Sequence, residues 1–395
     1  MVKKTHIMPF GTIGVVVYYM LKSGEHPFGE NIESKIEGFL DTNKGKKESK
    51  FCGLPIINPE KANRNATIIV ASYRYGKSIV RQLNELGFSH IIQAESFLTE
   101  QNTADALKQI QKDKVEQRYN LVSIEGSLKV LFVVSNDVAD LAITKVEFVV
   151  TQRCTLKCRD CAALMQYYEK PTDLDMEKTI ESVDRLFTFI DNVRTVNIIG
   201  GEPLIVKRLA PLIKKIGCYS SQIGELTMNT NGTLIPDDEV FYAMSRANLV
   251  VRISDYDKLS KKKAELKKLL QKHDVRCEIN EDLVWHIAHD ITDETGSEEE
   301  TFHKCDTYCV QIMDGKLYFC NFAAHGDALR AFPSDKANYV DLFSEDTTKE
   351  TIRAYLEREH ALPACKYCSG INMANDSIPV ALQTKKPLPY KRYEN

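Results

Sequence analysis

Three cysteines, Cys154, Cys158 and Cys161, stand in the run Thr151-Gln-Arg-Cys-Thr-Leu-Lys-Cys-Arg-Asp-Cys161, directly after the apolar segment 146–150. Three thiolates in one short C-x3-C-x2-C loop can hold three irons of a [4Fe-4S] cube and leave the fourth iron without a protein ligand. A cluster that only transfers electrons is held by four cysteines, so the spacing leaves one iron open to a small ligand with amino and carboxylate groups. The alternative is zinc. Structural zinc takes four ligands, usually as two C-x2-C pairs, and this stretch of sequence carries no histidine or fourth cysteine.

About forty residues on, Gly200-Gly201-Glu202-Pro203 follows the apolar segment 195–199. Glycines at a strand end let backbone approach a ligand closely, and an adjacent carboxylate can accept from an ammonium. By itself this is an ordinary turn. Placed one βα unit after the cysteine loop, it resembles the radical S-adenosylmethionine superfamily over residues 141–290, extending into 300–370. The resemblance implies that Cys154, Cys158 and Cys161 bind the cluster and that Gly200, Gly201 and Glu202 hold the methionine amino group of S-adenosylmethionine. One position departs from the family pattern: Asp160 stands where an aromatic residue usually precedes the third cysteine, which puts the usual adenine contact there in doubt.

The rest of residues 141–295 reads as alternating strands and helices. Apolar β-branched runs at 146–150, 196–199, 226–228 and 249–253 are separated by helical periodicity at 176–190, 209–216, 237–247 and 261–273. Such alternation argues for a parallel sheet with outer helices, and the family forms a partial (β/α)6 barrel, similar to a TIM barrel. Ligands of βα barrels meet at the C-terminal strand ends. There Asn229, Thr230 and Asn231 are candidates for ribose contacts, with a tight Asn-Gly turn as the alternative. Arg252, Ser254 and Asp255 end the next strand. Arg252 either neutralises a methionine carboxylate or a substrate anion, or forms a rim salt bridge.

A second cysteine group lies in residues 296–395. Cys305, Gly315 and Cys320 give C-x9-G-x4-C around an Asp314-Gly315 hairpin turn, and Cys365 and Cys368 add a C-x2-C pair. Four cysteines can ligate a complete second [4Fe-4S] cluster or zinc. Beside the first motif, the pattern resembles the single-cluster twitch relative of the SPASM domain. Cys309 fits neither spacing. It is a substitute ligand, a hydrogen-atom donor to a substrate radical, or a buried thiol. The acidic run 290–300 reads as a solvated loop and the basic tail 385–392 as exposed.

Residues 1–98 show a βαβ series: apolar 5–8, a Pro9-Phe-Gly-Thr-Ile-Gly14 turn, a helix at 15–21, a strand at 36–40 ending in Asp41, then 53–57, 67–71, a helix at 77–86 and 90–93. The order resembles a small Rossmann-like nucleotide-sugar-binding domain, with Gly11 and Gly14 at the first turn. Pro9 occupies the first glycine position, so a ligand-free docking domain is the alternative. Residues 99–140 connect the two parts, beginning with a helix.

A net charge of −3 offers no general attraction to nucleic acid. No segment reaches the ~20 apolar residues of a membrane span. Seven of the eleven cysteines fall into metal-ligand spacings, which points to a reducing, cytoplasmic compartment; Cys52, Cys218 and Cys277 are isolated. The expected protein is therefore an α/β radical S-adenosylmethionine enzyme with two [4Fe-4S] clusters and an N-terminal Rossmann-like domain. By the resemblance, flavodoxin or ferredoxin supplies electrons. Its expected substrate is a carbohydrate or nucleotide-linked sugar, oxidised or epimerised; modification of a ribosomally made peptide, or a non-enzymatic metal-binding role, are the alternatives.

Overall fold

A computed structural model describes residues 4–9, 12–23, 35–41, 50–71, 76–113, 141–280, 283, 285–286, 290–292, 297–305, 310–371 and 377–394. The chain divides into two compact units, 1–137 and 138–395.

The first unit is built on a six-stranded sheet. Its strands are β1 (Thr5–Met8), β2 (Ile36–Leu40), β3 (Lys50–Phe51), β4 (Leu54–Ile57), β5 (Thr67–Val70) and β6 (Ile91–Gln93), in the spatial order β3-β4-β2-β1-β5-β6. Apart from the short antiparallel β3, all pairings are parallel. Without β3 the order is the 3-2-1-4-5 arrangement of a doubly wound sheet, which reverses between β1 and β5. Helix α1 (Thr12–Ser23) follows β1 and α2 (Gly76–Glu85) precedes β6; α3 (Glu100–Lys112), expected at the start of a connecting segment, instead packs Ala106 and Ile110 into the core of this unit. Gly14 lets α1 lie against the chain that enters it, since a Cβ there would stand 2.5 Å from the Pro9 carbonyl oxygen. Asp41, buried, ends β2. Gly11 lies outside the described residues.

The second unit carries an eight-stranded sheet in the order β11-β10-β9-β8-β7-β13-β14-β15. Strands β7 (Ala142–Val149), β8 (Asn192–Ile199), β9 (Ile223–Thr230), β10 (Val250–Ser254) and β11 (Arg276–Asn280) are parallel and joined by helices α4 (Met176–Phe189), α5 (Leu209–Gly217), α6 (Asp238–Arg246) and α7 (Lys263–Lys272). Alternation splits each strand. Val146, Phe148, Val196, Ile198, Met228, Val251 and Ile253 are fully buried in one core with Val183, Leu186, Leu212, Ile213 and Phe241 of the helices. The intervening residues form the opposite, polar face. This is the α/β partial barrel expected from the sequence.

The cysteine-bearing C-terminal region continues the same sheet. Strand β13 (Val310–Met313) pairs parallel with β7, and β14 (Lys316–Tyr318) and β15 (Tyr339–Asp341) follow antiparallel. The β13–β14 turn is at Asp314 and Gly315, both with positive φ (52° and 78°), as the Asp-Gly pair requires. Helices α8 (Glu298–Lys304), α9 (Asn321–Leu329) and α10 (Lys349–Leu356) and the short pair β12 (Trp285–His286) with β16 (Ser377–Ile378) complete the unit. Among the described residues no helix is long and apolar enough to cross a membrane.

Candidate cluster and S-adenosylmethionine site

The loop after β7 brings Cys154, Cys158 and Cys161 together, close enough for their charges to interact. Burial pushes the Cys154 thiol up to about 12 and the Cys158 thiol up to about 11, and raises Cys161 as well. Thiolates are thus disfavoured until cations arrive to hold them. Each sulfur already faces N–H donors. Leu156 N lies 3.4 Å and Asn231 Nδ2 3.6 Å from Cys154 Sγ, and Gln383 Nε2 lies 3.2 Å from Cys158 Sγ. Cys161 receives the backbone N–H groups of Ala163 and Met165. Such a donor set suits sulfurs that carry the charge of a cluster. Among the described residues no three His, Cys, Asp or Glu side chains converge on a point that one ion would fill.

The Gly-Gly-Glu-Pro segment after β8 is what seats this loop. Gly201 N donates to Thr151 O at 2.9 Å and Glu202 N to Arg153 O at 2.8 Å. A Cβ on Gly200 would meet Thr151 O at 2.6 Å, and one on Gly201 would meet Arg153 O at 2.2 Å. Both glycines are therefore required by backbone packing against the cysteine loop, ahead of any ligand. Glu202 is completely buried, and burial raises its pKa. Its carboxylate accepts from Leu204 N (3.1 Å), Thr230 Oγ1 (2.8 Å) and Asn231 N (2.8 Å). Three of its roughly four acceptor positions are occupied, so the side chain ties the end of β9 to the Gly-Gly-Glu-Pro segment, whose backbone in turn holds the cysteine loop.

Residues 148–255 match the family described as the Radical SAM superfamily. The second unit carries a radical SAM domain over these residues. Its curated relatives include the GTP 3′,8-cyclase of Campylobacter jejuni subsp. doylei, 33% identical over 130 residues, covering 31% of this chain and 39% of that protein. The GTP 3′,8-cyclase of Rhizobium etli is 37% identical over 95 residues, covering 23% and 26%. The chain spans well under half the length of these relatives. Similar solved structures include BtrN in complex with AdoMet and 2-DOIA (13% identity, TM-score 0.35, 62% of this chain and 97% of that one). Another is Streptococcus suis SuiB bound to precursor peptide SuiA (17% identity, TM-score 0.29, covering 58% and 47%).

Around the radical SAM loop the other sequence candidates separate. Asn231 turns toward the protein: its Nδ2 donates to Cys154 Sγ and to Thr155 Oγ1 (3.0 Å), and its Oδ1 accepts from Thr233 N and Oγ1. Asn229 is half-buried on the polar face, as is Ser254, whose hydroxyl bonds Tyr256. Arg252 on the same face is bracketed by Glu278 (2.9 Å) and Glu225 (2.8 Å). Asp255 pairs with Lys263. Asp160 is paired with Arg159 at 2.9 Å. Tyr256, unremarked in the sequence, lies near all three thiols and packs edge-on against Trp285.

The second set also assembles. The Cys368 thiol, almost completely buried, feels the charges of Cys320, Cys305 and Cys365 and is pushed well above its usual range by burial. Its donors are Gly370 N at 3.2 Å; Ala323 N approaches Cys320 Sγ at 3.4 Å and Ile371 N approaches Cys305 Sγ at 3.5 Å. Cys309 lies outside the described residues.

Two surface segments are exposed at their charged residues but held by other contacts. In the acidic run Asp290, Glu298 and Glu300 are exposed, while Tyr167 donates to the Asp290 carboxylate, Ser369 Oγ accepts from Asp290 N, and Ile291 bridges to Cys368. Residues 293–296 of it lie outside the described residues. The basic tail is likewise docked. Leu388 N donates to Gln166 O, Tyr390 OH to Leu329 O, and the Tyr390 and Tyr393 rings pack against Tyr167 and Tyr367. Tyr390 and Tyr393 are half-buried, while Lys385, Lys386, Lys391 and Arg392 stay exposed.

Proposed function

We propose that the chain reductively cleaves S-adenosylmethionine and uses the product radical to take a hydrogen atom from a small polyhydroxylated substrate, a sugar or sugar derivative. The observation that carries this reading is that one loop, clamped by Gly200, Gly201 and Glu202, brings Cys154, Cys158 and Cys161 close enough for their charges to interact. A [4Fe-4S] cluster held there would supply the one electron needed to split S-adenosylmethionine into methionine and a 5′-deoxyadenosyl radical. The chain's own part is to fix the loop, to hold the sulfurs with amide donors, and to present the polar face to the substrate.

That polar face supports a neutral, hydroxyl-rich substrate. Asn197 Nδ2 donates to Glu147 Oε1, Thr227 Oγ1 to Asn197 Oδ1 and Gln311 Nε2 to Glu147 Oε2, a layer of polar groups across four adjoining strands. The cations in the middle of this face, Lys145 and Arg252, are each committed to carboxylates. Each cation is neutralised by its carboxylate partner, which leaves little net charge to attract a phosphate, so the sugar ring rather than a triphosphate is the group we assign to this face. We assign the doubly wound first unit, with its sheet reversing at β1 and β5, to recognition of a nucleotide-linked sugar. Cys305, Cys320, Cys365 and Cys368 are assigned to hold a second, complete [4Fe-4S] cluster, which would supply an acceptor for one electron as the substrate radical loses a proton, a net oxidation.

The test is anaerobic incubation of the reconstituted, reduced protein with carbon-deuterated sugars and nucleotide sugars. The reading expects deuterium in 5′-deoxyadenosine with at least one of them. Cleavage without transfer from any sugar, but with transfer from a labelled peptide, would reassign the substrate class.

A further inference from the structure

Residues 377–384 run across the cysteine loop as an extended strap. Arg159 N donates to Leu382 O and Thr384 N to Lys157 O, both at 2.7 Å, and Cys158 and Gln383 form an antiparallel bridge. Strand β16 anchors the strap by pairing with β12, where Trp285 stands beside Tyr256. Ala381, 4% exposed, packs with Leu156 and Cys158 in a small apolar group under the strap. Its φ of +52° turns the chain there and delivers Gln383 to the sulfur.

The Gln383 amide is fully oriented. Its Oε1 accepts from Lys157 N at 2.8 Å, while its Nε2 donates to Ala381 O at 2.8 Å and to Cys158 Sγ at 3.2 Å. Rotating the amide by 180° would set its oxygen against two acceptors and its NH2 against a donor, so this network fixes which end faces the sulfur. The residue lies 225 positions from Cys158 in sequence and belongs to neither cysteine motif.

We propose that residues 377–384 are a working part of the radical SAM site and that Gln383 is a positioning residue that sets the reduction potential of the cluster held by Cys154, Cys158 and Cys161. An N–H donor aimed at a ligand sulfur stabilises the reduced, more negative cluster more than the oxidised one. The strap therefore makes the cluster easier to reduce, and it covers Cys158, which is only 8% exposed. The inference rests on the cluster assignment made under Proposed function.

The test is redox titration of full-length reconstituted protein, followed by electron paramagnetic resonance. The signal that changes on adding S-adenosylmethionine identifies the open-iron cluster. Gln383→Leu removes the donor without adding charge. Gln383→Glu keeps the acceptor for Lys157 N but loses the donor to sulfur, and covers the case in which the leucine variant fails to fold. Both are expected to shift the midpoint to more negative potential and to lose an exchangeable-proton coupling that the wild type shows in H2O and not in D2O. Wild-type potentials and couplings in both variants would overturn this inference alone. A wild-type protein with no such signal would overturn the cluster assignment, and the inference with it.

Discussion

Replacing Gly201 by alanine tests whether the Gly-Gly-Glu-Pro segment acts by seating the cysteine loop. The new Cβ would lie 2.2 Å from Arg153 O, 2.6 Å from Arg153 C and 2.9 Å from Cys154 Cβ, where ordinary contact starts at 3.4 Å. Two of those atoms are backbone, so no side-chain rotation relieves the clash; the loop must move by about 1.2 Å (3.4 minus 2.2). That shift breaks the bonds from Gly201 N to Thr151 O and from Glu202 N to Arg153 O. Overpacking costs about 1–3 kcal/mol and each lost hydrogen bond about 1 kcal/mol, which sums to roughly 3–5 kcal/mol. For a unit of this size each kcal/mol moves the melting temperature by roughly 2–4 °C, so a fall of about 10 °C is expected by calorimetry of the apo-protein. Because Cys154 is displaced with Arg153, iron bound after anaerobic reconstitution should drop by about four atoms per chain. A Gly201→Ala protein that melts within about a degree of wild type and keeps its iron would refute the seating argument.

Three further outcomes follow from the same geometry. Glu202→Gln keeps one acceptor oxygen for three donors and turns an NH2 toward one of them. It should cost about 1–3 kcal/mol in chemical denaturation, and a variant as stable as wild type would remove the clamp from the account. His325 is fully buried, with Tyr168 OH 3.0 Å from its Nδ1 and no partner for Nε2 among the described residues, and desolvation lowers its pKa from 6.5 to about 4. A lowered histidine pKa means stability that is complete above the unfolded value of 6.5 and is lost as pH falls toward 4. Between pH 8 and pH 5 this amounts to about 2 kcal/mol, a loss that His325→Gln should remove from the pH dependence of unfolding; an unchanged slope would show that His325 is not its source. Cys365→Ala with Cys368→Ala should remove about four irons per chain while leaving reductive cleavage of S-adenosylmethionine in place, provided circular dichroism shows the fold retained; loss of cleavage in a folded variant would place those cysteines in the primary chemistry.

The strands and helices of the second unit were legible because apolar alternation marks the helix-facing side of each strand, as with Val146, Phe148, Val196 and Ile198. The Asp314-Gly315 turn was legible because few other pairs tolerate two positive φ values in succession. The first unit's βαβ series was legible in the sequence, but its strand order comes from the structure. Strand β11 escaped because Arg-Cys-Glu-Ile-Asn carries one strongly apolar residue at an exposed edge. The thiol groups could be read from spacing alone, but their supports could not. Glu202, expected as a ligand contact, also binds the end of β9, and Asn231, expected as a ribose contact, also donates to Cys154. Gln383 and Tyr256 reach the site only through tertiary packing, and a glutamine in a polar tail leaves no periodic or spacing signal. His325 was hidden for the same reason, as a single histidine on an apolar helix reads as core.

The central claim is that Cys154, Cys158 and Cys161 hold a cluster with one iron open to S-adenosylmethionine. The most direct measurement is low-temperature electron paramagnetic resonance of anaerobically reconstituted, reduced protein before and after S-adenosylmethionine is added, with the Cys154→Ala, Cys158→Ala, Cys161→Ala triple variant alongside. The account predicts a signal that S-adenosylmethionine perturbs in the wild type, with 5′-deoxyadenosine released, and neither the perturbation nor the nucleoside in the triple variant. A triple variant that retains the perturbed signal and forms 5′-deoxyadenosine at the wild-type rate would contradict it.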